Sequence, residues 1–220
     1  MRIALRILVV IALLGVNLAS LYAVLHPHTS PQYKAYYIDK STQDWAPDRY
    51  SATPEEGMKF AKPGLPTFVE STRGLSVREA WGRWTDLSLG EPAIKFRQAF
   101  SGPICVVITA YPSEAESGKQ VVVAFGAQSQ SLHLTAPDFA DYYVNFVLTQ
   151  PANTLEFHFP DGVRRNNDAD PASRDIRRLG LAISSIRLSQ TSCATIATQK
   201  AIGGREAGVP KSSAYAGFQR

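Results

Sequence analysis

Two tryptophans flank an arginine in Glu79-Ala80-Trp81-Gly82-Arg83-Trp84-Thr85-Asp86, a concentration of groups able to hold a ligand. An indole offers a flat apolar face on which the C–H side of a sugar ring can stack, and Arg83 and Glu79 beside it can bond hydroxyls. In a strand, side chains alternate with period 2, so Trp81 and Trp84 are expected on opposite faces, one in the core and one presented outward. The alternative is that both indoles are packing and that Arg83 pairs internally with Glu79 or Asp86. A second cluster, Arg174, Asp175, Arg177 and Arg178, leads into the last apolar run. Arginine forks there would suit a phosphate or anionic head group, or would close the fold by ion pairs with Asp168, Asp170 and Asp175. The candidate ligand-binding residues are therefore Trp81, Arg83, Trp84, Glu79, Arg174 and Arg177.

No catalytic set accompanies them. His133 and His158 could meet across two sheets, but they lack the cysteine or carboxylate partners of a metal site. The sequence has no G-x-S-x-G elbow, no H-E-x-x-H and no glycine-rich phosphate loop. Asp141 and Glu156 could be offered as a glycosidase pair, yet a chain with 19 acidic residues offers many such pairs. Neither a cofactor nor a metal is implied, and the residues favour binding over catalysis.

The elements that would position these groups are strands. Met58–Ala61, Pro66–Glu70, Trp81–Asp86, Ala93–Phe100, Ile104–Tyr111, Gln120–Ala127, Ser131–Thr135, Tyr142–Thr149, Thr154–Phe159 and Leu179–Leu188 follow one another without a helical period between them. Ile94 and Phe96 alternate with Lys95 and Arg97 as in a half-buried strand, whereas Ile104–Tyr111 is apolar on both faces and belongs in the centre of a sheet. A hairpin is expected around Gln128–Gln130, and a turn at Gln150–Asn153. The sum is an all-β domain over 58–190, an antiparallel two-sheet β-sandwich of jelly-roll type. Residues 26–57 read as a linker and 191–220 as a disordered tail. Tyr33, Tyr36, Tyr37 and Trp45 in the linker would suit a membrane interface or pack on the domain.

Residues 7–25 contain no charge and follow Arg2 and Arg6, so they are expected to form an uncleaved transmembrane signal anchor, with 1–6 in the cytoplasm. Gly15, Asn17 and Ser20 would either form a helix-packing face or simply be tolerated in a single span. The formal charge of +4 is located mainly outside the domain. From Met58 to Gln190, 14 Lys and Arg face 13 Asp and Glu, a balance of +1 that supplies no basic face for nucleic acid. Cys105 lies in a core strand and Cys193 just past the last one. They either pair, as an exported chain permits, or leave a buried thiol and a free one.

Phe60-x-x-Pro63-Gly64-Leu65-Pro66, Gly74-Leu75-Ser76, Glu79-x-Trp81-Gly82-Arg83-Trp84-Thr85-Asp86 and the closing Arg177-Arg178-Leu179-Gly180-Leu181-Ala182-Ile183 together resemble a known domain. It is the C-terminal β-sandwich of bacterial membrane-bound phosphoglycerol transferases and related envelope-glycan enzymes. Ala80 stands where that pattern has proline, and the transferase part that holds the family's catalytic residues has no counterpart among these residues. The resemblance implies an accessory module of the envelope, and with the apolar segment and the missing catalytic set the reading is a non-catalytic, membrane-anchored module in the bacterial periplasm. Its partners would be the inner membrane and an envelope glycan, such as a periplasmic glucan, or a membrane-bound glycan transferase. The alternative is a structural subunit that docks on an inner-membrane protein complex with no small ligand.

Overall fold

The computed structural model describes residues 2–25, 38, 49–113, 116–169, 172 and 174–197. Leucine, isoleucine, valine and alanine dominate the first segment, and with neither proline nor an internal charge after Arg6 it forms one helix, α1 (Arg2–Leu25). Among its described side chains, Ile11, Val16 and Leu18 are each more than 60% exposed. Asn17 satisfies its own amide by donating from Nδ2 to the carbonyl of Leu13 at 2.7 Å. Counting described side chains alone, no helix is long and apolar enough to cross a membrane.

The strands that follow are β1 (Arg49–Tyr50), β2 (Met58–Lys59), β3 (Leu65–Pro66), β4 (Val69–Arg73), β5 (Arg83–Asp86), β6 (Ala93–Pro112), β7 (Gln120–Phe125), β8 (Gln128–His133), β9 (Ala140–His158) and β10 (Leu179–Ser189). A 3-10 turn at Leu87–Leu89 follows β5, and a short helix α2 (Asn166–Ala169) precedes β10. Apart from a small parallel pair of β1 with β3, the strands form one antiparallel network in the order β2-β10-β6-β9-β7-β8, with β4 on β6 and β5 on β10. The fold is all-β and sandwich-like, as expected.

How the two layers join is not as expected. Two runs read as separate strands, 93–100 and 104–111, are one 20-residue strand, and 142–149 and 154–159 are likewise one 19-residue strand. Both bend and pass from layer to layer. The first half of β6 pairs with β4 and the end of β9, and its second half with β10 and the start of β9. Register shifts between Lys95 and Gly102 absorb the bend, and Gly102 takes the positive φ of 75° that it needs. The turn expected at Gln150–Asn153 therefore lies inside a continuous strand. The hairpin between β7 and β8 turns at Gly126-Ala127 rather than at 128–130, since Gly126 supplies a φ of 61° and Phe125 already pairs with Gln128.

Between the layers lie Phe96, Phe125, Phe146 and Phe157 with Ile104, Val106, Ile108, Val144, Leu181 and Ile183. Even-numbered residues of β6 from 104 to 110 enter this core, so 105, 107, 109 and 111 face outward. That outward face is covered at one end, which is why the whole run is apolar. Cys193 reaches it and is bonded to Cys105, with Cα atoms 5.1 Å apart.

Two expectations are corrected here. Residues 191–197 are not a disordered tail: the disulfide pins Cys193, a helix α3 forms over 193–197, and Ile196 packs with Val107 and Tyr143. The end of the expected linker is also part of the fold. Arg49 donates to the carbonyls of Val69 and Glu70, and the amide of Leu188 to the carbonyl of Pro54. Tyr33, Tyr36, Tyr37, Trp45 and the tail beyond 197 lie outside the described residues.

Candidate functional site

Gly74 to Asp86 forms an irregular hairpin whose glycines allow close approach. A Cβ on Gly74 would fall 2.7 Å from the backbone of Pro92, and one on Gly82 2.2 Å from the carbonyl oxygen of Ile183. The Ser76 amide donates to the carbonyl of Trp84 at 2.9 Å, and the Ser76 hydroxyl accepts from the Trp84 amide at 3.2 Å. The Glu79 amide closes the turn by donating to the carbonyl of Gly82 at 2.8 Å.

β5 begins only at Arg83, so strand alternation does not extend back to Trp81, and the two indoles do not take opposite faces. They meet on one face, edge to face, with centroids 5.5 Å apart. Arg83 is the residue turned inward: it is 6% exposed, and its Nη1 donates to the carbonyl of Ser76 at 2.7 Å. Of the two readings left open for Arg83, outward beside a ligand or paired inward, the inward one holds. One of its partners is the buried Ser76 carbonyl, because the core side of β5 at this point is lined by the loop that carries Ser76.

Register then assembles an aromatic row that the linear sequence hides. Trp84 pairs with Ala182, and Ala182 with Tyr111, so the three stand side by side on β5, β10 and β6. Ala182 has only a methyl group, and the rings on either side close over it with centroids 5.4 Å apart. Ala110 pairs with Ala140, which brings Phe139 next to Tyr111 at 4.7 Å. Trp81 completes the group at 5.5 Å from Phe139 and 6.0 Å from Tyr111. All four rings are half-buried, on the side of the layer opposite the core.

One row further along the same face lie Ser185, Thr109 and Asp141, paired across β10, β6 and β9. The Ser185 hydroxyl donates to Thr109 Oγ1 at 3.0 Å, and Thr109 donates to Asp141 Oδ1 at 2.6 Å. Arg187 brings a guanidinium nitrogen to 3.6 Å from Asp141 Oδ2. The backbone of Gly57 lies on the Arg187 stem, so close that a Cβ would fall 2.4 Å from its Cγ. Tyr111, Phe139, Thr109 and Arg187 were not legible as site residues because only strand register brings them to the tryptophans.

Glu79 is half-buried near this face, and its charge, with that of Asp86, acts on Arg177. Arg177 is held chiefly by Asp175, to which it donates from Nε at 2.9 Å and from Nη2 at 2.7 Å. That hydrogen-bonded pair keeps the guanidinium more firmly protonated than usual. Arg178 donates to the carbonyl of Val163, and Arg174 is exposed. The arginine cluster is thus divided among local partners instead of converging on one point.

The remaining pairs do not assemble. His158 stands 3.6 Å from Glu91 and 3.8 Å from Glu156, while His133 is exposed on β8 opposite Gln120. No group of three or more potential metal ligands occurs among the described residues. Asp141 and Glu156 sit at opposite ends of β9 in different layers, too far apart for a shared glycosidic bond.

An all-β sandwich-like domain with an aromatic row on an outer sheet face is the class that fold and site define. Residues 43–190, more than half of the chain, match the family described as a domain of unknown function, DUF7024, and the chain belongs to that family. It is similar to phosphoglycerol transferase I of Citrobacter koseri and of Salmonella typhi, at 28% identity over 141 residues in each case. That match takes in 64% of this chain and 18% of the relative, so the chain spans under a fifth of the length of these curated relatives. Among solved structures, a family 29 carbohydrate-binding module complexed with cellulohexaose is similar with a TM-score of 0.39 and 11% identity, covering 63% of this chain and 92% of that one. A family 35 module from Paenibacillus barcinonensis gives 0.31 and 10%, covering 56% and 93%. At that level neither fold nor ligand transfers.

Proposed function

We propose that this protein is a membrane-anchored accessory module that binds an envelope glycan on the face bearing Trp81, Trp84, Tyr111 and Phe139, without itself catalysing a reaction. The observation that carries this is the position of the row. The core lies on the other side of the layer, yet four large rings are gathered beside a strip of hydroxyls, a carboxylate and a guanidinium. Stacking surface next to hydrogen-bonding groups is what a sugar ring requires, since it has one apolar side and a polar edge.

An anchor is supported by the sequence, since residues 7–25 carry no charge and Ile11, Val16 and Leu18 on α1 are exposed. Arg2 and Arg6 would hold its start in the cytoplasm and send the domain to the periplasm. The Cys105–Cys193 disulfide suits that oxidising side. The similarity to phosphoglycerol transferases supports an envelope role in which the module recognises a glycan that such an enzyme acts on.

Calorimetric titration of the full chain in detergent micelles with neutral oligosaccharides from the bacterial envelope tests the reading. Saturable binding that Tyr111→Ala abolishes without changing the circular dichroism spectrum is expected. Heat from none of the oligosaccharides, with a purified inner-membrane protein complex binding instead, would replace the glycan by a protein partner.

A further inference from the structure

Resting on the glycan reading, we infer that the ligand is an uncharged oligosaccharide of several rings that lies across the strands, stacked on the aromatic row and hydrogen-bonded by Arg187. The direction follows from the two ends of the face. Along the strands, the rows after Asp141 run into Tyr143, Val107 and the disulfide-bonded Cys193, with Ile196 packed on top. A chain running that way would meet α3 within a few residues. Across the strands, the rings of Trp84, Tyr111 and Phe139 follow one another at 5.4 Å and 4.7 Å between centroids, so the path from end to end is at most about 10 Å, longer than one sugar ring. The hydroxyl row of Ser185, Thr109 and Asp141 runs beside that path, two residues further along, about 7 Å away. One side of the ligand would rest on the rings while its hydroxyl edge faces the polar row.

The rings are themselves near-perpendicular, with interplanar angles of 83°, 73° and 87° for Trp81–Trp84, Trp84–Tyr111 and Tyr111–Phe139. Such a row is ridged, which suits a single flexible chain better than the flat side of a packed polymer. The absence of charge follows from the pairing of the arginines. Arg187 is 39% exposed in its side chain and reaches the ligand, while Asp141, 10% exposed, is a positioning residue that holds the guanidinium and offsets its charge. Arg177 is likewise paired, with Asp175. A guanidinium neutralised by a carboxylate still donates to hydroxyls but gains little from an anion.

The test titrates the full chain with neutral gluco-oligosaccharides of increasing length and with a uronic-acid counterpart of the longest. Affinity is expected to rise about tenfold from mono- to trisaccharide, the effect of a further stacked ring. Phe139→Ala, and Phe139→Leu as the volume-keeping variant, should remove that rise, and Tyr143→Ala should leave it. Arg187→Gln should weaken the trisaccharide about tenfold. Asp141→Asn should shift preference toward the uronic acid by freeing the positive charge, a change that mere loosening of the fold would not produce. A length gain lost in Tyr143→Ala and kept in Phe139→Leu would overturn the orientation, and tighter binding of the uronic acid by the unaltered chain would overturn the uncharged class. Failure of every saccharide to bind would sink the glycan reading itself.

Discussion

Trp84 and Tyr111 meet edge to face over Ala182, 5.4 Å between centroids, although they lie on β5 and β6 with β10 between them. The contact exists because the residue in the middle is small. Ala182→Leu is expected to wedge the rings apart. With Ala182 fully buried, overpacking should cost about 1–3 kcal/mol, read as a lower denaturation midpoint, together with loss of glycan affinity. An unchanged midpoint and affinity would mean the rings are not held by that contact.

The disulfide closes a loop of 88 positions and fixes α3 on the outer face. Cys193→Ser should lower stability by about 2–4 kcal/mol, and a reductant should do the same to the unaltered chain but nothing further to the variant. Free-thiol titration under native conditions checks the premise, with no reactive thiol expected before reduction.

Tyr50 lies in the segment that sequence assigns to a linker, yet its hydroxyl accepts from the amide of Lys59 at 3.1 Å. Burial raises its pKa above 10.0, and the hydrogen bond from Lys59 only partly opposes this. The folded state therefore favours the neutral phenol. Its contribution is intact below pH 10 and is lost as pH rises through the raised folded value. Tyr50→Phe should flatten the alkaline side of the stability profile while costing at most about 1 kcal/mol near neutrality. Urea denaturation from pH 7 to pH 11 measures both effects.

Much of the fold was legible because strands announce themselves by alternation: Ile94 and Phe96 are buried while Lys95 and Arg97 are exposed. Continuity was not. Glycine and proline at 102–103 read as a break, but a bulge in a bent strand uses the same residues. In the site, strand alternation does not reach Trp81, which lies two residues before β5. Arg83 was visible as a motif residue but its direction was not, since that depends on where the strand starts. Tyr111 and Phe139 were invisible beside the tryptophans because cross-strand register is a tertiary property with no local signal.

The proposed anchor makes its own prediction. With an alkaline phosphatase reporter at the C-terminus, the unaltered chain should be active, since that enzyme works only on the periplasmic side. Arg2→Glu combined with Arg6→Glu should reduce the active fraction by weakening the positive-inside bias. Activity lost in the unaltered chain would place the domain in the cytoplasm and make the disulfide untenable there.

The most direct test of the account is tryptophan fluorescence of the full chain carrying Trp45→Phe, which leaves Trp81 and Trp84 as reporters. Titrated with a neutral envelope oligosaccharide, it should give a saturable spectral shift that Phe139→Leu reduces and His133→Ala, on the far edge strand, leaves intact. A spectrum that stays flat at saturating oligosaccharide while calorimetry reports binding would put the ligand elsewhere on the molecule and contradict the aromatic face as its site.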